Sequence, residues 1–327
     1  MEELIMTNKL PQLANSVEIV GTLKSMDLAI KESKNKKNYV KGKVTVLVRE
    51  ADKVHEHEID IFQMESSKLF KGIKTMMNEY KSIDTHGEEA DRIRVTGEVE
   101  INEYYNKEDE LKSFNQIKGV FFNRLDETND TEDKAVAVIE VVVKGFTPKV
   151  IEETGEIEHY TVNAFTIGYG EKIVELKRAI ISDELAGPMQ DLYHENSTGR
   201  LEFKLNRYAE QKQVEKQEAP VSMGHGFGKE ITVETTRVFE RTVNNYEITG
   251  GDVPFEDEKA LSEEQIADAA RKLALSREEL KANRGTKAPD TPAAAAKKPT
   301  GFGGAVTMPS NKSCTNKRSC SSYNRCS

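Results

Sequence analysis

KESKNKKNYVKGKVTVLVR, residues 31–49, changes character half-way along. The first half is polar, with Asn35 and Asn38 marking a loop, and the second half alternates. Val40, Val44, Val46 and Val48 fall on one side of an extended chain. Tyr39, Lys41, Lys43 and Thr45 fall on the other, because successive side chains of a strand point to opposite faces. The stretch reads as a loop running into a half-buried strand. Seven basic residues (Lys31, Lys34, Lys36, Lys37, Lys41, Lys43, Arg49) stand against one acid, Glu32, in a chain of formal net charge −9. A ring set among ammonium groups suits a polyanion with flat bases. A basic hairpin that is merely solvated fits the same residues.

The flanking segments supply the partners of this strand. Residues 15–24, NSVEIVGTLK, read as a strand in which Gly21 predicts a bulge or tight bend. HEHEIDIFQ (55–63) sets Ile59, Ile61 and Gln63 on one side and Asp60 and Phe62 on the other. Residues 66–80 switch to helical spacing through Leu69, Ile73, Met76, Met77 and Tyr80. DRIRVTGEVEINEYY (91–105) then turns Ile93, Val95, Val99 and Ile101 inward. FNQIKGVFFNRL (114–125) closes the unit, with Phe114, Phe121 and Phe122 read as core. Three strands, a helix and two strands is the element order of an OB-fold, a five-stranded Greek-key barrel whose second and third strands bind oligonucleotides.

Beyond the acidic break DETNDTED (126–133) the pattern repeats. Residues 138–169 parallel the strand, charged hairpin and strand of the first unit, and 171–185, EKIVELKRAIISDEL, take the helix slot with Ile173, Leu176, Ile180 and Ile181 at helical spacing. Thr198-Gly199 with Asn206 and Tyr208 after it echoes Thr96-Gly97 with Asn102 and Tyr104. A strand pair within 230–248 ends the second unit. Past residue 250, Ser262/Gln265 and Ser276/Glu279 form two capping boxes, the first with Leu261 and Ile266 as a hydrophobic staple, and so predict two short helices. The fold expected is mainly β: two tandem OB-fold-like barrels, a short helical segment and a disordered tail. The divisions are an N-terminal arm (1–14), a first barrel (15–126), a linker (127–134), a second barrel (135–250), an acidic segment (251–285) and a low-complexity tail (286–327).

Bulk properties narrow the function. No apolar run approaches the roughly 18 residues of a membrane span. The start, MEELIMTNKL, has neither a basic n-region nor an apolar h-region, so a cytoplasmic protein is expected, in the host cytoplasm if it is viral. Cys314, Cys320 and Cys326 crowd the last residues at a spacing unlike a zinc site and read as a reduced basic tail. A pI near 5.4 excludes coating of nucleic acid by bulk charge, but not a chain whose charges are segregated.

No enzyme is legible. Gly224 to Lys229 has Met223 where a phosphate loop needs its first glycine and Glu230 where Ser or Thr should follow the lysine. His55 and His57 point the same way with no third ligand nearby and read as part of a surface strand. No catalytic residue, metal or cofactor is therefore expected. Rings and cations that interleave on barrel faces are the candidates for binding nucleic acid. In the first unit these are Lys34, Lys36, Lys37, Tyr39, Lys41, Lys43, Phe62, Arg92 and Arg94, and in the second Lys144, Phe146, Lys149, Tyr160, Arg200, Lys204, Arg207 and Tyr208.

Paired OB-like units followed by an acidic segment resemble single-stranded DNA-binding proteins, particularly those of bacteriophage replication modules. Asp252-Val253-Pro254-Phe255 is similar to the acidic tip by which bacterial members recruit replication and repair enzymes, which makes Asp252, Pro254 and Phe255 candidates for partner binding. In that family the phenylalanine is the last residue; here the chain runs on to residue 327. The resemblance implies sequence-independent binding of single-stranded DNA, or RNA, in replication or recombination, with strand annealing, a protein adaptor or a structural role in a viral assembly as alternatives. It also implies that the anionic segment competes with DNA, so deleting residues 250–327 is expected to tighten binding.

Overall fold

The computed structural model describes residues 9–283 apart from 34, 127, 129, 153, 221–231 and 257, and along 211–220 and 232–240 the backbone alone. The first unit comprises β1 (Asn15–Glu32), β2 (Asn38–Glu50), β3 (Lys53–Met64), α1 (Phe70–Glu79), the single turn α2 (Ile83–His86), β4 (Arg92–Tyr105) and β5 (Leu111–Arg124). Alternation drives the local structure: Val40, Val44, Val46 and Val48 of β2 are fully buried, as are Ile93, Val95 and Val99 of β4 to within 1%. Each such side chain removed from water is worth about 1.5–3 kcal/mol. The strands close in the order β1-β2-β3-β5-β4-β1, antiparallel except for β3 with β5, and α1 falls between β3 and β4. That is an OB-fold barrel. β1 serves both β4 and β2 by changing partner near Gly21, where a Cβ would lie 2.2 Å from the Leu47 carbonyl oxygen, and a bulge follows between Leu23 and Ser25.

The second unit comprises β6 (Lys134–Val150), β7 (Ile157–Ile167), β8 (Ile173–Leu176), β9 (Ala179–Ile181), α3 (Asp183–Leu192), β10 (Thr198–Pro220) and β11 (Thr232–Gly251). It closes as β6-β7-β9-β11-β10-β6, with β9 and β11 parallel, and repeats the first topology. The helix expected at 171–185 is absent. Ile173 to Leu176 and Ala179 to Ile181 instead form a third strand in two pieces along β7, and the helix starts only at Asp183. The barrel needs a strand to join β7 to β11, and burial alternates within each piece, through Val174 and Leu176 in the first and Ala179 and Ile181 in the second. Closure and the β-branched residues override a helical spacing that rested on four positions. Gly199 of the repeated Thr-Gly pair lies under Tyr193, and a Cβ there would fall 2.2 Å from the Tyr193 hydroxyl.

The barrels share one sheet of eleven strands among the described residues, because Asn15–Val20 of β1 pair with Lys134–Ile139 of β6. Both barrels belong to one compact unit. Within the same unit, after the second barrel, α4 (Glu263–Ala282) runs unbroken, capped by Ser262 and Gln265 as read. The second helix start is not used: Ser276 lies inside α4, where a serine costs only a few tenths of a kcal/mol against alanine. α4 is docked rather than trailing. Leu261, Ile266 and Ala269 join Leu10 and Leu13 of the arm in covering Phe165, Ile167 and Ile173 on the outside of the second barrel. Arg277 binds Glu103 at 2.7 Å and also Glu175, tying α4 to both barrels.

Candidate nucleic-acid interface

The outer face of the first barrel across β2, β3, β5 and β4 carries the side chains that alternation turns away from the core. Tyr39 and Phe62 form a ring pair at 5.4 Å, and Phe62 is 50% exposed. Lys41 sits opposite Phe62 in the β2–β3 ladder and Lys43 opposite Asp60. A second pair, Tyr104 and Phe114, meets edge to face at 6.4 Å, and both rings are about half open. In the parallel β3–β5 ladder Asp60 is level with Lys118, so Phe62 lies two residues beyond that row and Phe114 four residues before it. At about 3.3 Å per residue the ring pairs lie about 20 Å apart along the face. Phe121, also outward, is 52% exposed.

Charged rows fill the space between. Lys43 holds Glu58 at 2.8 Å, and Lys118 holds Glu98 and Glu100 at 3.1 and 2.9 Å. Burial alone would raise the Glu58 carboxyl, but Lys43 and Arg207 outweigh it and hold it below its ordinary value. Glu100 is lowered in the same way by Lys118 and Lys172, whereas burial pushes Asp60 up. The Lys43–Glu58 pair, exposed on both sides, is worth about 0–1 kcal/mol, so an incoming phosphate can replace the carboxylate at little cost. At the β1–β2 turn Lys36 and Lys37 are exposed, Lys36 at a φ of +55°. Lys34 lies outside the described residues.

Phe114 and Phe121 were expected in the core and are outside it. Asn115, Ile117 and Gly119 point inward, which turns Phe114 out; the bulge at Thr96/Gly97 then shifts the register and exchanges Phe121 for Phe122. Seven residues separate Phe114 from Phe121, an odd step, so a regular strand could not have put both on one side. That spacing was the available signal.

The remaining candidates do not join this face. Arg92 binds Asp133 at 2.7 Å and Arg94 lies 3.2 Å from Glu18, both on the β1–β4 side of the barrel. In the second unit Lys144 donates to Asn196 at 2.7 Å and Lys149 is exposed on the β6–β7 hairpin, while Phe146 and Tyr160 are half-buried against the core. Arg200 is exposed on β10. Lys204 pairs with Glu50, Arg207 with Glu58 at 2.5 Å, and the Tyr208 hydroxyl accepts from Lys53 at 3.1 Å, so these three form the seam between the barrels. The surface of the second barrel around β7 and β8 is the one α4 covers.

That seam also corrects the reading of His55 and His57 as a surface pair. Both are 2% exposed, because β10 lies over this end of β3 and the Arg207 N–H donates to His55 Nδ1 at 3.3 Å. Burial, helped by His55 and Arg207, pushes the His57 imidazole down to about 3. Asp252, Pro254 and Phe255 lie along the start of β10. The Asp252 carbonyl accepts from the Tyr193 hydroxyl at 2.6 Å, the Phe255 N–H donates to the Thr198 carbonyl at 2.8 Å, and Pro254 and Phe255 are half-buried. Gly224 to Lys229 and the three cysteines lie outside the described residues.

A family model described as YorF matches residues 14–286. The chain belongs to the YorF family. Among solved structures, the wild-type single-stranded DNA binding protein from Thermus aquaticus is similar at a TM-score of 0.47 and 11% identity, over 77% of this chain and 98% of that one. A deletion mutant of the Thermus aquaticus protein is similar at a TM-score of 0.45 and 12% identity, over 77% and 99%. A search of curated proteins finds no match.

Proposed function

We propose that this YorF-family chain binds single-stranded nucleic acid, foremost DNA, without regard to sequence and without catalysis, in the service of phage or bacterial replication or recombination. The reading rests on one observation: two ring pairs on the outer face of the first barrel, in which Phe62, Tyr104 and Phe114 are about half open and Tyr39 is partly buried, with lysines between them. Half-open rings are stacking platforms, and a base stacked on one is worth about 1–3 kcal/mol whatever its identity. The lysines already hold carboxylates in exchangeable pairs, which is how a face in an acidic protein can keep cations ready for phosphate.

The test is a fluorescence titration of the full chain with oligo-dT at two salt concentrations. Tyr39→Ala with Phe62→Ala should weaken binding by about 10- to 100-fold at unchanged salt slope. Lys41→Ala with Lys43→Ala should reduce the slope by about 0.7 for each phosphate that is no longer neutralised. Absence of binding below micromolar concentrations in low salt would overturn the reading.

A further inference from the structure

A cleft of about 270 Å³ opens between the two barrels, beside the ring-bearing face and sharing Lys43 and Asp60 with it. It is small beside the roughly 300–1,000 Å³ of ordinary ligand pockets, so it suits a fragment the size of one base. Phe114, 40% exposed, stands among its lining residues. The buried polar residues of the lining are uncharged, His57, Asn115, Asn206 and Tyr246, and stand beside the apolar Ile117 and Leu205.

We propose that this cleft takes one unpaired nucleobase of the strand carried on the first-barrel face, an assignment that rests on the single-strand reading above. The donors and acceptors there have the character a base edge requires. His57 Nε2 is buried and has no hydrogen-bond partner among the described residues. An imidazole held down to about 3 is neutral at pH 7, with one nitrogen donating and the other accepting. Burial pushes the Tyr246 phenol up to about 12, so it too stays neutral. Asn244 completes the lining.

A phosphate fits less well. Of the three cations in the lining, Lys43 and Arg207 already share Glu58 and Arg178 donates to the Asn115 carbonyl at 3.3 Å, while Asp60 adds a second carboxyl. A polar edge left unmatched on burial costs about 1–3 kcal/mol, so a base whose edge matches the donors and acceptors of the cleft gains over one whose edge does not. The cleft should therefore add base preference to an otherwise indifferent face, with Phe114 as the ring on which that base first stacks.

The experiment is a set of equilibrium titrations of the full chain with dT, dC and dA oligomers of equal length. The unaltered chain should rank the three, and Tyr246→Phe and Asn244→Ala should each compress the ranking by about two- to tenfold. Tyr246→Phe keeps the ring in the core and so preserves the fold if Asn244→Ala does not, which circular dichroism would show. Tyr39→Ala should lower all three affinities together and leave the ranking intact. Equal affinity of the unaltered chain for all three, or a ranking untouched by both cleft variants while binding stays strong, would overturn the cleft assignment alone. Failure to bind any oligomer would overturn the single-strand reading and this assignment with it.

Discussion

His57 shows most plainly how the surroundings of a side chain set its chemistry. Alternation correctly places it on the same side as His55, Ile59 and Ile61, but only the overlying β10 makes that side dry. Its folded value of about 3 lies below the ordinary 6.5, so the folded state binds fewer protons there than the unfolded state. The resulting stability is present above about pH 6.5 and is lost as pH falls toward 3. From pH 7 to pH 5 the loss from this residue should be about 2 kcal/mol. Urea unfolding at the two pH values should show it, and His57→Phe should remove most of it, leaving the smaller share of His55, which burial also lowers. Glu58, Glu100 and Glu175 are held low as well, but their contribution is lost only below the ordinary carboxylate range, in a separate window.

Among the elements, α4 departs most from expectation. Its cap and staple were legible as Ser262, Gln265, Leu261 and Ile266. Its docking was not, because the apolar surface it covers is assembled from Phe165, Ile167 and Ile173 far back in the chain. Glu103 is 7% exposed in its side chain and is held by Arg277. Arg277→Ala should therefore cost about 3 kcal/mol, since it leaves a buried carboxylate without its counter-charge and with only the Ser113 hydroxyl donating to it. Thermal unfolding measures that loss, and limited proteolysis should show α4 cut first. The docking of α4 also changes the expectation for removal of residues 250–327: that deletion uncovers an apolar surface, so lower solubility should accompany any change in affinity. Deletion of residues 285–327 removes seven basic residues and one acid, leaves α4 in place, and should not tighten binding.

The whole molecule is a duplicated fold used unequally. The first barrel leaves its β2–β3 face open; the second has the surface around β7 and β8 under α4, and Lys204 and Arg207 of β10 engaged in the seam. One chain should therefore occupy the length of strand typical of one OB unit, about 4–16 nucleotides, rather than twice that. Saturation of poly-dT measured by tyrosine quenching would give the site size, and a value that doubles would place DNA on both barrels.

The alternation of Val40 to Val48, the strand–helix order of the first barrel, the Thr-Gly echo and the α4 cap could all be read from the chain, because each depends on neighbours within a few residues. Which end of β3 is covered, where the β4–β5 bulge falls and why 173–181 is extended depended on strands distant in sequence meeting. A short segment has comparable local free energies as helix or strand; the hydrogen bonds and apolar burial offered by β7 and β11 decided between them, and those exist only once the barrel has closed.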